Sequence, residues 1–201
     1  IIDTGIKVYL CNKAAPTPVV SYNVVNRNAG AGIIITASHN PNDWNGFKYK
    51  PNYGGSASPE IIERLETLIN ENRQSKNLNL ASSNEAQHKG DIAYIDPVPQ
   101  YLHHISNIVD IESIKRSGLN VLIDPMYGSG SGYFTNILSG GNTKITEIHN
   151  QLDSEFPGIA HPEPIARNLK NLLDSVPKLK SDVGLATDGD ADRLGVVNEC
   201  L

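Results

Sequence analysis

The chain of 201 residues carries 17 basic and 22 acidic residues, for a formal net charge of −5, and 39% of its residues are apolar. This length and composition suit a globular protein with one large domain or two modest ones. The sequence has no basic block, which argues against nucleic acid or an anionic membrane as a partner. It also has no apolar run of roughly 20 residues and no pattern of a secretion signal, so we expect a cytoplasmic protein.

The first half of the chain alternates β-branched runs with amphipathic stretches. The runs "IKVYL" and "GIIIT" favour strands, and the longer "VVSYNVVNRN" lies between them. A helix is predicted in "SPEIIERLETLINENR", where Ser58 is a candidate cap and Pro59 suits the first helical position. Its apolar positions form a single stripe, made of Ile61, Ile62, Leu65, Leu68 and Ile69. This half therefore predicts the order β-α-β-α.

A polar stretch from about Gln74 to Gly90 separates this half from a second one, so we place a domain boundary there, with domains at 1–83 and 84–201. In the second half, helices are predicted at "VPQYLHHISNIV", after "GSGSG" and at "ARNLKNLLDSV". Strands are predicted at "LNVLID", "TKITEI" and "DVGLAT". The fold class expected is α/β, with two similar mixed β-sheet domains that carry helices packed on their sheets.

Three aspartates alternate in "LATDGDADRLGVV", between two strand-like runs. Carboxylates as close as those of Asp188, Asp190 and Asp192 repel one another unless a cation neutralises them, and hard oxygen ligands suit Mg²⁺ or Ca²⁺. An EF-hand calcium loop is excluded because Arg193 stands where that loop needs glycine, and because its flanks should be helices. The motif predicts a magnesium or calcium site between two strands.

A second polar motif, "ITASHNPNDWNGFKY", follows the strand "GIIIT". Its turn-forming residues, among them Asn40 and Gly46, would present Ser38 at the end of that strand. Ser38 and His39 are neighbours, whose side chains usually point apart, and no G-x-S-x-G motif surrounds them, so a serine hydrolase is not favoured. In "GSGSGYF", Tyr133 occupies the place of the last glycine of a dinucleotide fingerprint, which favours a tight turn over a nucleotide site.

The motifs "TASHNPNDWNGFKY" and "DGDADR", in this order, together resemble the α-D-phosphohexomutase family, which includes phosphoglucomutase and phosphomannomutase. The resemblance covers the whole chain and corresponds to the first two of the family's four domains, the first of them without its beginning. It implies that Ser38 carries a phosphoryl group. It also implies a Mg²⁺ site formed by a phosphate oxygen on Ser38 together with Asp188, Asp190 and Asp192.

The resemblance also extends to groups around the serine. Lys48 matches the family's lysine after glycine, and Arg193 matches the arginine that closes its metal loop. A guanidinium suits bidentate contact with phosphate, so Arg193 is a predicted phosphate-binding residue, and Asn40 of the serine turn is another. Lys48 and His39 are candidates to steady phosphate oxygens or to move the proton of a sugar hydroxyl. Phosphoryl transfer depends on such positioning and charge neutralisation.

The activity that the resemblance implies is interconversion of hexose 1-phosphate and hexose 6-phosphate through a hexose 1,6-bisphosphate, which would also act as activator. Glucose, mannose, glucosamine and N-acetylglucosamine phosphates are all open as substrates. The family's sugar-reading loop and its substrate phosphate-binding domain belong to the third and fourth domains, so we expect a fragment that is inactive alone. The alternative is a non-catalytic phosphosugar-binding, metal-binding or regulatory protein derived from the same fold.

Overall fold

The computed structural model describes residues 5–75 and 91–198, which we call the first and second segments. The strands are β1 (Val8–Cys11), β2 (Ala31–Thr36), β3 (Gly46–Pro51), β4 (Ile92–Ile95), β5 (Asn120–Asp124), β6 (Lys144–Glu147), β7 (Val183–Thr187) and β8 (Leu194–Val197). The helices are α1 (Thr17–Asn26), α2 (Pro59–Ser75), α3 (Val98–Ile108), α4 (Ile111–Arg116), α5 (Tyr133–Leu138) and α6 (Lys170–Lys178). A 3₁₀ turn, Ala166–Asn168, precedes α6.

The first segment is organised around the β2–β3 hairpin. These strands are antiparallel, and Ile34 pairs with Lys48. Helix α1 begins beside prolines, which suit the first turn of a helix, and it packs on the hairpin with Val19 and Val24 buried. Its Asn23 side-chain amide donates to the carbonyl of Pro97 over 2.9 Å, which ties α1 to the start of α3. The hairpin loop, where Ser38 lies, is thus held on a packed base.

Strand β4 lies beyond the predicted domain boundary but pairs in parallel with β1, from Val8 opposite Ile92 to Cys11 opposite Ile95. The polar stretch that predicts the boundary falls mostly at 76–90, outside the described residues. The division at 83 stays a prediction, and the β1–β4 pair joins the two segments. Burial raises the pKa of the Cys11 thiol, which is half-buried, whereas Cys200 also lies outside the described residues.

The second segment contains a mixed four-stranded sheet in the order β6-β5-β7-β8. Strand β5 is parallel to both β6 and β7, and β8 is antiparallel to β7. A cluster of buried apolar side chains lies between this sheet and α6 and comprises Leu122, Met126, Leu169, Leu172, Val176, Ala186 and Val197. The α/β class with sheets covered by helices is confirmed. Because β5, β6 and β7 run in parallel, the loops at their carboxyl ends share one edge.

Several elements differ from the sequence prediction. Strands β3 and β4 and helix α4 were not predicted. The predicted helix at α2 is confirmed, but its apolar stripe is only partly covered, with Ile62 and Ile69 exposed at 38% and 40%. Within 5–75 and 91–198, no helix has both the length and the apolar character needed to cross a membrane.

Candidate functional site

The serine loop, residues 37–45, connects β2 to β3. Ser38 has φ of +55°, a left-handed conformation that non-glycine residues rarely adopt. Its amide donates to the Thr36 hydroxyl over 2.8 Å, and the side-chain amide of Asn40 donates to the Ala37 carbonyl over 3.0 Å. These bonds fix a strained turn that presents Ser38 at the end of β2. Strain of this kind is concentrated at functional sites.

The aspartate loop, residues 188–193, connects β7 to β8. Asp188 is fully buried and organises the loop, because its Oδ1 accepts from the amides of Asp192 and Arg193 over 3.0 and 3.1 Å. Its Oδ2 accepts from Arg193 Nε over 3.0 Å. Burial raises the pKa of Asp188, an effect that hydrogen bonds from Arg193 oppose and the charge of Asp190 reinforces. This loop therefore concentrates negative charge in a small volume.

The aspartate loop fits a divalent cation. Carboxylate oxygens of Asp188, Asp190 and Asp192 lie within 4.8 Å of one another. Asp190 is almost fully buried, and its Oδ1 has no hydrogen-bond partner in the described structure. A buried oxygen without a partner is costly unless a ligand or water satisfies it. Three clustered oxygen donors and this orphan oxygen suit Mg²⁺.

Lys48 and Thr17 reach Asp190 from the first segment. Lys48 Nζ lies 2.7 Å from carboxylate oxygens of both Asp190 and Asp192. Thr17 donates its hydroxyl to Asp190 Oδ2 over 2.6 Å and its amide to the Asp190 carbonyl over 2.9 Å. Asp190 is thus held through both its main chain and its side chain.

These contacts change the acid–base properties of both partners. Burial alone would raise the pKa of Asp190, but hydrogen bonds from Lys48 and Thr17 outweigh it and lower that pKa. Burial alone would lower the pKa of Lys48, but its bonds to Asp190 and Asp192 raise it. These contacts favour the charged form of Lys48, which suits contact with an anion. A role of Lys48 in proton transfer stays a prediction.

Arg193 and His39 both approach the Ser38 hydroxyl. Arg193 Nη2 donates to Ser38 Oγ over 3.3 Å. His39 Nδ1 lies 3.4 Å from the same oxygen, so these adjacent side chains do not point apart as expected from the sequence. The left-handed backbone at Ser38 accounts for this, since the usual opposition of neighbouring side chains belongs to extended chain. The hydroxyl is flanked by a guanidinium and an imidazole.

The two loops also meet through their backbones at Gly189. A Cβ on this residue would lie 2.5 Å from the Ser38 carbonyl oxygen, so only glycine fits between the loops. On its other side, Gly189 lies against Gly128, and its carbonyl accepts the Ser129 amide over 2.9 Å. The aspartate loop therefore packs between the serine loop and the turn after β5.

The structure adds Glu163, a residue to which no sequence motif gave a role. Its carboxylate lies 3.9 Å from Arg193 Nη1 and 3.3 Å from His161 Nε2. Burial tends to raise the Glu163 pKa, but the His161 hydrogen bond and the charges of His39 and Arg167 lower it. In the sequence, Glu163 lies in "HPEPIA", which resembles a loop of the family's second domain, but nothing in that motif indicates Arg193 as a partner.

The predicted site residues thus fall into two groups. Ser38, His39, Lys48 and Arg193 converge with the three aspartates around one position. Asn40 is exposed, and its side-chain amide is committed to the serine turn, so a contact with phosphate stays a prediction.

Two family profiles match the chain. The profile described as phosphoglucomutase/phosphomannomutase, alpha/beta/alpha domain I, matches residues 1–76. The profile described as alpha/beta/alpha domain II of the same proteins matches residues 99–200. Together they cover both loops of the site.

Relatives match over nearly the whole chain. A Thermococcus kodakarensis protein named phosphoglucomutase/phosphomannomutase is 34% identical over 200 residues, which are 99% of this chain and 40% of that protein. A Neisseria meningitidis phosphoglucomutase is 34% identical over 198 residues, 98% of this chain and 40% of its own length. A Methanosphaera stadtmanae protein named as a phosphoglucosamine mutase is 36% identical over 184 residues, 92% of this chain and 39% of its own length. The chain therefore spans about two fifths of these relatives.

Solved structures resemble the chain as well. The crystal structure of a Thermus thermophilus protein, described as a phosphomannomutase, superposes with a TM-score of 0.81 at 28% identity, over 96% of this chain and 42% of that one. A Burkholderia thailandensis phosphoglucomutase/phosphomannomutase family protein gives a TM-score of 0.72 at 27% identity, over 92% and 38% of the respective chains.

Proposed function

Because the chain belongs to the phosphoglucomutase/phosphomannomutase family, we propose that it provides the phosphoryl-carrying and metal-binding part of a mutase acting on phosphorylated hexoses. Such an enzyme is an isomerase, which interconverts hexose 1-phosphate and hexose 6-phosphate. The observation that carries the proposal is the meeting of the Ser38 hydroxyl, Arg193 and the aspartate loop around one position.

In the proposed reaction, Ser38 carries a phosphoryl group on Oγ. A free hydroxyl of the sugar phosphate attacks this phosphorus, so the bond to Ser38 Oγ breaks, a bond to the sugar oxygen forms, and the hydroxyl proton leaves. The product is a hexose 1,6-bisphosphate, which then returns its other phosphoryl group to Ser38. A bisphosphate added from solution would phosphorylate Ser38 in the same way, release a monophosphate and so act as an activator.

The side chains around Ser38 have distinct parts in this proposal. Arg193, whose Nη2 contacts Ser38 Oγ, would hold phosphoryl oxygens. Lys48, whose pKa is raised despite its partial burial, would stay protonated and balance negative charge. His39 Nδ1 lies 3.4 Å from Ser38 Oγ and is the proposed acceptor of the sugar hydroxyl proton.

We assign the metal to Asp188, Asp190, Asp192 and a phosphate oxygen on Ser38. Mg²⁺ bound there would supply charge neutralisation for the phosphoryl group. The protein's own contribution is to hold three carboxylates within 4.8 Å of one another, on a loop fixed by Arg193 and Thr17.

The test is to incubate the full-length protein with a hexose 1,6-bisphosphate and to locate the phosphate by peptide mass spectrometry. We expect it on Ser38, and we expect no phosphorylation and no turnover in Ser38→Ala. Thr36 and Ser56 are the nearby hydroxyls that could be confused with it. Phosphate on either one, with Ser38 unmodified, would overturn the assignment.

A further inference from the structure

A buried carboxylate–imidazole pair lies outside the groups assigned above. Asp124, at the end of β5, is fully buried, and His149 follows β6 with its side chain 13% exposed. His149 Nδ1 lies 3.0 Å from each carboxylate oxygen of Asp124. Since β5 is parallel to β7, this pair lies at the sheet edge that also bears the aspartate loop.

His149 is enclosed on its other sides. Its Nε2 lies 3.1 Å from the Asn171 side-chain amide on α6, and its ring packs against Tyr127 with centroids 4.7 Å apart. Burial raises the pKa of Asp124, and the bonded imidazole opposes that rise. An imidazole with both nitrogens engaged is poorly placed to act on a substrate, which favours a positioning role.

The pair holds a strained turn. Asp124 Oδ1 accepts the Met126 amide over 2.8 Å, and the His149 carbonyl accepts the Tyr127 amide over 2.9 Å. Met126, Tyr127 and His149 all have left-handed backbones, with φ of +49°, +61° and +47°. Non-glycine residues persist in this region only where surrounding contacts impose it.

This turn supports the aspartate loop directly. Gly128 lies against Gly189 so closely that a Cβ on Gly128 would be 2.6 Å from the Gly189 carbonyl oxygen. That carbonyl accepts from the Ser129 amide over 2.9 Å and from the Ser129 hydroxyl over 3.2 Å. Gly189 stands between Asp188 and Asp190, so the position of the turn sets the separation of two carboxylates.

We propose that Asp124 and His149 are positioning residues that fix the metal-binding geometry of the aspartate loop through the turn at 125–129. The inference rests on the proposed function, because it takes the loop to be a Mg²⁺ site. With this inference, the site includes a pair of residues that are neither proposed metal ligands nor direct neighbours of Ser38 in the sequence.

The experiment compares two substitutions at one position in the full-length protein. His149→Asn keeps an amide donor for Asp124 and suits a left-handed backbone, whereas His149→Ala does neither. Calorimetric titration with Mg²⁺ should show roughly three- to tenfold weaker binding in His149→Ala, below the loss typical of direct outer-shell partners. His149→Asn should restore an affinity equal to that of the wild-type protein.

Thr143→Val is the matched control. Thr143 directly precedes β6, at the sheet edge away from the aspartate loop. Its buried hydroxyl donates to the carbonyl of Ile114 in α4. Its loss should lower the melting temperature without changing Mg²⁺ affinity. If it weakens Mg²⁺ binding as much as His149→Ala does, the effect is general destabilisation and the inference is wrong.

A milder variant guards against failure of His149→Ala to fold. Asn171 is exposed on α6, so Asn171→Ala should fold while it releases His149 Nε2, and we expect about twofold weaker Mg²⁺ binding. Wild-type affinity in every folded variant among His149→Ala and Asn171→Ala would overturn the positioning role. Absence of Mg²⁺ binding in the wild-type protein would instead overturn the proposed function.

Discussion

Asp190 accepts hydrogen bonds from Thr17 and Lys48, and in the proposed site it would share one metal ion with the phosphoryl group on Ser38. Phosphorylation of Ser38 adds roughly −1.5 to −2 charges next to the three carboxylates. If both share one cation, thermodynamic linkage requires Mg²⁺ to bind more tightly to the phosphorylated form. Calorimetric titration of both forms of the full-length protein measures this difference. Equal affinities would mean that Ser38 and the aspartate loop do not share a metal.

Two substitutions separate the contributions to this linkage. Asp190→Asn removes one carboxylate charge and should weaken Mg²⁺ binding by roughly tenfold or more in both forms. Ser38→Ala should leave only the weak affinity of the unphosphorylated protein. Asp174→Asn is the control for loss of one negative charge, because Asp174 pairs with Lys170 on the exposed surface of α6.

Glu163 offers a test of how Arg193 is oriented. The nitrogens of the guanidinium have different neighbours: Asp188 and Asp192 at Nε, Ser38 at Nη2 and Glu163 at Nη1. Glu163→Gln keeps the shape but removes the charge, so we expect kcat/KM to fall about two- to fivefold, in keeping with a partly exposed ion pair. Glu112→Gln, in a surface pair with Lys115, should leave kinetics unchanged. A loss of the same size in both variants would contradict the role of Glu163.

At the scale of elements, the junction of the two loops depends on glycine. Gly189→Ala would place a methyl group 2.5 Å from the Ser38 carbonyl oxygen and force the loops apart. Overpacking of this kind costs typically 1–3 kcal/mol, and we expect both the melting temperature and kcat to fall. A Cβ at Gly30 has no heavy atom within 4 Å, so Gly30→Ala should be nearly neutral. Wild-type kcat in Gly189→Ala would show that the loops adjust freely.

The elements that carry the site were predictable where the sequence pattern is local. The apolar runs of β2 and β7 and the polar motifs after them placed Ser38 and the three aspartates at strand ends. Strand β3 is not predicted because Gly46, Phe47 and Lys48 fall in the polar serine motif, although the alternation in "FKYK" is typical of a strand. Strand β4 is not predicted because four residues are too few to show a periodicity. Glu163 and the Asp124–His149 pair depend on contacts across at least 25 positions, which no local pattern encodes.

At the scale of the molecule, the chain spans about 40% of the relatives it matches. We predict that the 201-residue chain alone shows at most trace turnover of hexose phosphates, because it spans only about two fifths of the relatives and the resemblance implies that sugar recognition and substrate phosphate binding belong to a third and a fourth domain. A coupled assay comparing the chain with the full-length protein, at equal Ser38 phosphorylation, measures this. Comparable turnover rates for the two proteins would show that the chain recognises the sugar without further domains.

The contacts that join the two segments through the site constrain recombination between relatives. Thr17, Ser38 and Lys48 come from one side, and Asp190 and Arg193 come from the other. A crossover between positions 48 and 190 would take the two partners of each contact from different parents. A chimera therefore keeps these contacts only if both parents carry compatible residues at these positions. Exchange of whole halves is therefore restricted by the same few side chains that form the proposed site, and chimeras with mismatched partners should lose both the contact between the halves and activity.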